Sequence, residues 1–197
     1  MSFVYAVRCN FNAPALEAAW HAWYSGPKLA EMMTHPRFLS GQRYRAAGLD
    51  ETIAYLALWV VESPDAFTTP EYKSAWGFVE WTPHIGDWSR NLYRGPDHDV
   101  SDLLDVQAGE RLYLAAFDGV AEADAESRRR GLEAARPDVT WLPVAGLDRS
   151  CPAIGVRRID AVESPRPLPA ALAAGIRETL YEPITDRRRA RASARSR

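Results

Sequence analysis

Cysteine is scarce. Cys9 and Cys151 are the only two in 197 residues, each inside a stretch that reads as a strand, so buried reduced thiols are expected rather than a disulfide. Long apolar runs are missing too: none approaches the ~20 residues needed to span a bilayer, so no membrane partner is expected. Met1-Ser2-Phe3-Val4-Tyr5 has no basic start leading into an apolar core and a small-residue cleavage site, which makes a cytoplasmic location the expectation. No glycine-rich phosphate cradle and no Gly-x-Ser-x-Gly elbow occurs, disfavouring nucleotide cofactors and serine hydrolysis. A formal net charge of -2 gives no general pull toward nucleic acid. Asp97-His98-Asp99 has metal-ligand atoms, but adjacent residues in an acidic stretch rarely converge on one ion, so neither a metal nor another cofactor is expected.

What is present is a repeated order of elements. Phe3 to Phe11 alternates, with Phe3, Tyr5, Val7, Cys9 and Phe11 on one face and Val4, Ala6, Arg8 and Asn10 on the other, as in a strand. From Pro14 a helical stripe (Leu16, Trp20, Trp23, Tyr24) runs until Ser25-Gly26-Pro27 interrupts it, and a second helical piece covers Lys28 to Met33. Phe38 to Arg45 reads as a strand, 46–51 as a turn, and Thr52 to Val61 as a strand apolar on both faces, hence central. Ser63-Pro64 and Thr69-Pro70 each put a capping hydroxyl before a first-turn proline, predicting helix through Tyr72, Trp76 and Val79. Asp87 to Arg94 closes a β-α-β-β-α-β unit.

Residues 97–109 read as an acidic linker, after which the order returns: strand 111–117, helix 122–135, strands 139–144 and 153–159, helix 167–179 and strand 180–184. Val61-Glu62-Ser63-Pro64 matches Val162-Glu163-Ser164-Pro165, and Leu92-Tyr93 matches Leu180-Tyr181, at corresponding places. The expected fold class is therefore α+β: two ferredoxin-like βαββαβ repeats (1–95 and 110–186, joined by 96–109) packed sheet to sheet as one intrachain barrel. Arg187 to Arg197 is basic and lacks an apolar face, and reads as a disordered, solvated tail.

Trp23-Tyr24, then Leu29 and Met32-Met33, then Pro36-Arg37-Phe38 and Gln42-Arg43-Tyr44 together resemble the pattern of dimeric α+β barrel proteins, the EthD-like and antibiotic-biosynthesis-monooxygenase-like families. The likeness covers residues 3–94; the second half fits by element order alone. It implies a pocket between sheet and first helix in each barrel half. Activities across the superfamily include cofactor-free oxygenation of aromatic polyketides, cyclisation, isomerisation, haem degradation and dehydration. Related sequences often carry histidine just after the Trp-Tyr pair, where this chain has Gly26-Pro27-Lys28; His21 is the nearest replacement.

All four histidines and six of seven tryptophans precede residue 99, which points to the first half for any site. Glu17, His21 and Tyr24 share a helix side, so a carboxylate is expected to raise the His21 pKa, as a general base requires. His21, Tyr24 and Arg43 are the candidate catalytic residues. Arg8, Asn10, Trp23, Tyr44, Trp59, Trp76 and His84 are candidate ligand contacts, with Arg8 or Arg43 holding a carboxylate or enolate oxygen inside the barrel. The expected partner is a small aromatic or polyketide-like acid, turned over by proton transfer. Binding without turnover and haem handling are the alternatives, and an exposed sheet edge leaves room for a homodimer.

Overall fold

The computed structural model describes residues 2–97 and 100–190. Along these the order is β1 (Phe3–Phe11), α1 (Glu17–Trp23), α2 (Leu29–Met32), β2 (Phe38–Leu49), β3 (Tyr55–Val61), α3 (Pro70–Ala75) and β4 (Ile85–Arg94). Then follow β5 (Glu110–Ala116), α4 (Glu122–Ala135), β6 (Thr140–Leu147), β7 (Ala153–Asp160), α5 (Ala170–Ala173), β8 (Arg177–Pro183) and β9 (Arg188–Arg189). The strands hydrogen-bond in the order β3-β1-β4-β6-β7-β5-β8-β2, and a further β2–β3 pairing closes the ring. The result is an eight-stranded, wholly antiparallel α+β barrel. Closure leaves β1 to β8 with no free edge.

Period-two alternation in the strands decides what fills the ring and what faces the helices. Val4, Ala6, Leu58, Val60, Tyr93 and Leu114 belong to one buried cluster; Tyr5, Val7, Cys9, Trp59 and Val61 belong to a second, packed with the α1 and α2 residues Trp20, Leu29 and Met32. The barrel is thus filled on its inner side, and the outer side of the first half is roofed by helix. At two places the cross-strand fit requires glycine: a Cβ on Gly41 would lie 2.2 Å from the Trp59 ring, and one on Gly155 2.6 Å from the Trp141 ring. Each Trp is the direct strand partner of its Gly.

Several sequence expectations change in detail. The chain does not break at Ser25-Gly26-Pro27; it passes through a π-turn, Tyr24–Lys28, and continues as α2. Pro27 has no N–H and would crowd the preceding turn of an α-helix, and the wider turn relieves this. β2 extends to Leu49 and β3 begins at Tyr55, so the turn lies between those residues. Helix α3 ends at Ala75, short of Trp76 and Val79. The helix expected over 167–179 shrinks to Ala170–Ala173, because Pro165, Pro167 and Pro169 delay its start and Gly175, at φ +78°, stops it against Gly119. The acidic linker is not bare: Val100, Leu104 and Val106 are buried, the Gln42 side chain exchanges hydrogen bonds with the Val106 backbone, and Tyr44 Oη donates to Leu104 O at 2.6 Å. His98 and Asp99 lie outside the described residues.

The basic segment read as a solvated tail also begins as structure. Arg188 and Arg189 add a short strand to β2, and Arg187 donates to Ser40 Oγ and Leu104 O. The rest of the tail, 191–197, lies outside the described residues. Cys9 and Cys151 are both buried and unbridged.

Arg8 points into the barrel, as its place in the alternation predicts, but it meets a partner there. Asp118 takes both of its terminal nitrogens, at 2.9 and 2.5 Å, and also takes Arg177 Nε at 3.0 Å, tying β1 to the loop after β5. Burial alone would raise the Asp118 pKa; the hydrogen bonds and charge of Arg8, with Arg177, outweigh it and hold the carboxyl below its usual range. Asp118→Asn is expected to cost about 3 kcal/mol at neutral pH, read as a lower urea midpoint. Because the folded pKa is depressed, that contribution is complete above the ordinary carboxylate range and fades as pH falls through the folded value, so the wild-type advantage should shrink toward pH 3. An unchanged midpoint at pH 7 would contradict this role.

Candidate functional site

The outer face of β1 and β3, the π-turn and the segment after α3 enclose an aromatic cleft in the first half. Its outer part, of about 460 Å³, is lined by Trp76, Gly77, Phe78, Val79, Thr82, Ile85 and Trp88. Trp76, Val79 and Trp88 form an open apolar mouth, 47%, 64% and 39% exposed. Arg90 lies over both indoles, its guanidinium carbon 4.7 Å from the Trp76 ring centroid and 5.7 Å from that of Trp88. Inward the cleft narrows to a throat with room of about 30 Å³, walled by Tyr5, Tyr24, Lys28, Trp59 and Tyr72 among others. The Thr69 cap starts α3 by accepting the Tyr72 N–H at 3.3 Å, which sets Tyr72 against Tyr5; their hydroxyls are 3.1 Å apart.

Behind Tyr24 lies a buried guanidinium. Arg43, on the helix-facing side of β2, is 1% exposed. Its Nη1 donates to Ser25 Oγ at 2.7 Å, and its guanidinium carbon sits 4.0 Å from the Tyr24 ring centroid and 4.7 Å from that of Trp20. Among the described residues Nη2 has no hydrogen-bond partner and no carboxylate pairs with the charge. Burial depresses the Arg43 pKa to about 10, against the pull of Tyr24, Cys9 and Tyr55, so the guanidinium stays charged at neutral pH. A buried, singly bonded cation stacked on two rings is stabilised by the π faces but not neutralised by them. Burial raises the Tyr24 phenol well above its usual range against the opposing charge of Arg43, so it remains a hydrogen-bond donor at neutral pH.

His21 stands beside this group, outside the cleft lining. Tyr55 Oη donates to Glu17, which leaves it to accept from His21 Nε2 at 3.3 Å; the network therefore assigns the neutral tautomer with its hydrogen on Nε2. The expected rise in the His21 pKa is reversed. Burial, and then the Arg43 charge, push it down, and Glu17 only partly opposes them, because its carboxylate is spent on Tyr55.

Of the sequence-derived candidates, Tyr24, Trp59 and Trp76 line the cleft. Arg43 adjoins it through Tyr24, with His21 beyond. Arg8 and Arg43 do not share a cavity: they project from opposite faces of the sheet, and Arg8 is taken by Asp118. Tyr44 faces the barrel interior, donating to Leu104 O. Asn10 is spent on loop closure, donating to Thr52 O and Asp87 and accepting from Ala54 N. Trp23 packs on Trp81, and His84 sets its edge on Phe11. Lys28, Tyr5, Tyr72 and Trp88 were missing from the candidates. Lys28 carried one signal, a lysine four residues after Tyr24 on a stripe that is otherwise apolar.

Among solved structures, an anthrone oxidase-like protein aligns at a TM-score of 0.60, covering 96% of this chain and 93% of that one at 11% identity. Chlorite dismutase from Candidatus Nitrospira defluvii, solved with imidazole, aligns at 0.52, covering 92% and 91% at 12% identity. The fold is shared. At such identities the likeness extends to the α+β barrel and not to its chemistry. No family model matches the chain, and no curated protein matches it in sequence.

The His21 assignment has a direct check. In an NMR titration His21 should titrate below the ordinary histidine value of about 6.5, and Glu17→Gln should lower it further by removing the one group that raises it. A His21 pKa above the ordinary value, or a rise in the variant, would contradict the arrangement.

Proposed function

We propose that this chain is a tandem member of the dimeric α+β barrel superfamily whose first half takes a flat aromatic ligand bearing an acidic oxygen, and that it assists proton transfer on such a ligand by stabilising the oxyanion. The pairing pattern supports the duplication: β2-β3-β1-β4 in one half corresponds to β6-β7-β5-β8 in the other, joined by β4–β6 and β8–β2. The Gly41–Trp59 and Trp141–Gly155 pairs sit at matching places with the residues exchanged. The chain shares its fold with an anthrone oxidase-like protein, whose name points to a flat aromatic ketone.

The observation that carries the functional reading is the unneutralised charge of Arg43 behind Tyr24, at the closed end of an aromatic cleft. Rings are accepted against the indoles of Trp76 and Trp88, and negative charge is drawn inward by a cation that water does not screen. Arg43 works here through Tyr24 as a positioning and electrostatic residue, rather than by gripping a carboxylate. Tyr24 donates to the oxyanion that forms when a ketone becomes its enolate.

No carboxylate or imidazole is among the residues lining the cleft, so the abstracted proton passes to solvent. That same absence favours a second reading, in which the cleft binds without turnover. The haem reading fits the residues poorly: the lining offers neither imidazole nor thiolate, burial holds the Tyr5 and Tyr24 phenols protonated, and a throat of about 30 Å³ admits no macrocycle to Tyr72 or Met32.

2-Tetralone in D2O separates the two main readings, since exchange at its C1 position is proton transfer through an enolate and is followed by NMR. The wild type is expected to accelerate exchange, and Tyr24→Phe to lose most of that. Arg43→Met is expected to lose about tenfold in rate, less than the roughly 100-fold or more that follows loss of a donor touching the oxyanion, because Arg43 acts through Tyr24. Binding of 2-tetralone, seen by tryptophan quenching, with no exchange above buffer would leave only the binding reading. Binding that Arg43→Met leaves unchanged for anionic and neutral naphthyl ligands alike would remove the role of Arg43.

A further inference from the structure

Lys28 is the charged residue of the throat lining, and neither the sequence candidates nor the reading above employs it. The π-turn that accommodates Pro27 carries Tyr24 and Lys28 at its two ends, and both are buried. An ammonium has three N–H donors. Ala75 O, at the end of α3, takes one and Glu31 Oε2, at 3.3 Å, a second, leaving one over in a side chain 6% exposed. The Tyr5 and Tyr72 hydroxyls make one hydrogen bond between them, so one of their two hydrogens is also left over. The three residues that carry these surplus donors line a space of about 30 Å³, room for about one water-sized group and too little for a ring.

The ring must then stay in the outer cleft of about 460 Å³, while a single substituent enters the throat. A carboxylate must place a carbon and two oxygens in that space, where a ring-bound hydroxyl places one oxygen, so the tighter fit disfavours it. An oxygen bonded directly to the ring fits it. Resting on the cleft reading, we infer that Lys28, with the Tyr5–Tyr72 pair, is a specificity-determining group that selects ring-bound phenolate or enolate oxygens over carboxylates.

The test compares 2-naphthol, 2-naphthoate and 2-methylnaphthalene by tryptophan quenching with wild type, Lys28→Met, Lys28→Arg and Tyr72→Phe, each checked for folding by near-UV circular dichroism. In the wild type 2-naphthol is expected to bind about tenfold or more tighter than 2-methylnaphthalene, the size of one charge-assisted hydrogen bond, and tighter than 2-naphthoate. Lys28→Met should bring the naphthol-to-methylnaphthalene ratio close to one, Lys28→Arg should keep it above one, and Tyr72→Phe should reduce it. Should Lys28→Met not fold, Tyr72→Phe and the wild-type ligand order decide. The inference is overturned, with the cleft reading intact, if 2-naphthoate binds more tightly than 2-naphthol or if the naphthol preference survives in folded Lys28→Met. If none of the three ligands binds, the cleft reading itself fails and this inference falls with it.

Discussion

A guanidinium held out of water without a carboxylate is the constraint around which the first half is arranged. Taking an ion into a protein interior costs several kcal/mol even after relaxation, and Arg43 recovers part of this from one serine hydroxyl and two aromatic faces. Two features of the sequence make that possible. The π-turn at Pro27 brings Ser25 within reach while keeping Tyr24 inside, and the alternation in β2 sends Arg43 to the helical side while Gln42 and Tyr44 go inward to the barrel.

Arg8 and Arg43 show how differently one protein treats two buried arginines. Arg8 is neutralised by Asp118, which also binds Arg177 and through it reaches Asp50, so its charge is used to lock the two halves of the barrel together. Arg43 has no such partner among the described residues, and the space on the far side of Tyr24 opens to solvent through the cleft. Structural stability accounts for the first arginine. It gives no reason for the second, which is why function is sought there.

The barrel strands and helix starts were legible in the sequence because their signals are local: alternation in β1, apolar residues on both faces of β3, and the Ser-Pro and Thr-Pro caps. The end of β2, the length of α5 and the buried run Val100 to Val106 were not, since each depends on contacts with chain far away in sequence, as when Gln42 binds the Val106 backbone. The candidate site was half legible. Tyr24, Arg43, Trp59 and Trp76 follow from residue type and position. Whether Arg8 meets an anion from outside or Asp118 from within, and whether Glu17 serves His21 or Tyr55, is settled by side chains 110 and 38 residues away, which no spacing reveals. Lys28 went unnoticed because proline marked its segment as a break, whereas the chain kept its helical path.

The most direct test of the account is a structure of the protein with 2-naphthol bound. The account predicts the ring in the outer cleft against Trp76 and Trp88 and the oxygen within hydrogen-bond distance of the throat donors, in front of Tyr24, with Arg43 unmoved behind it. A ligand seated in the barrel interior or on another face, or an Arg43 that swings out to meet a carboxylate of the protein, would contradict it.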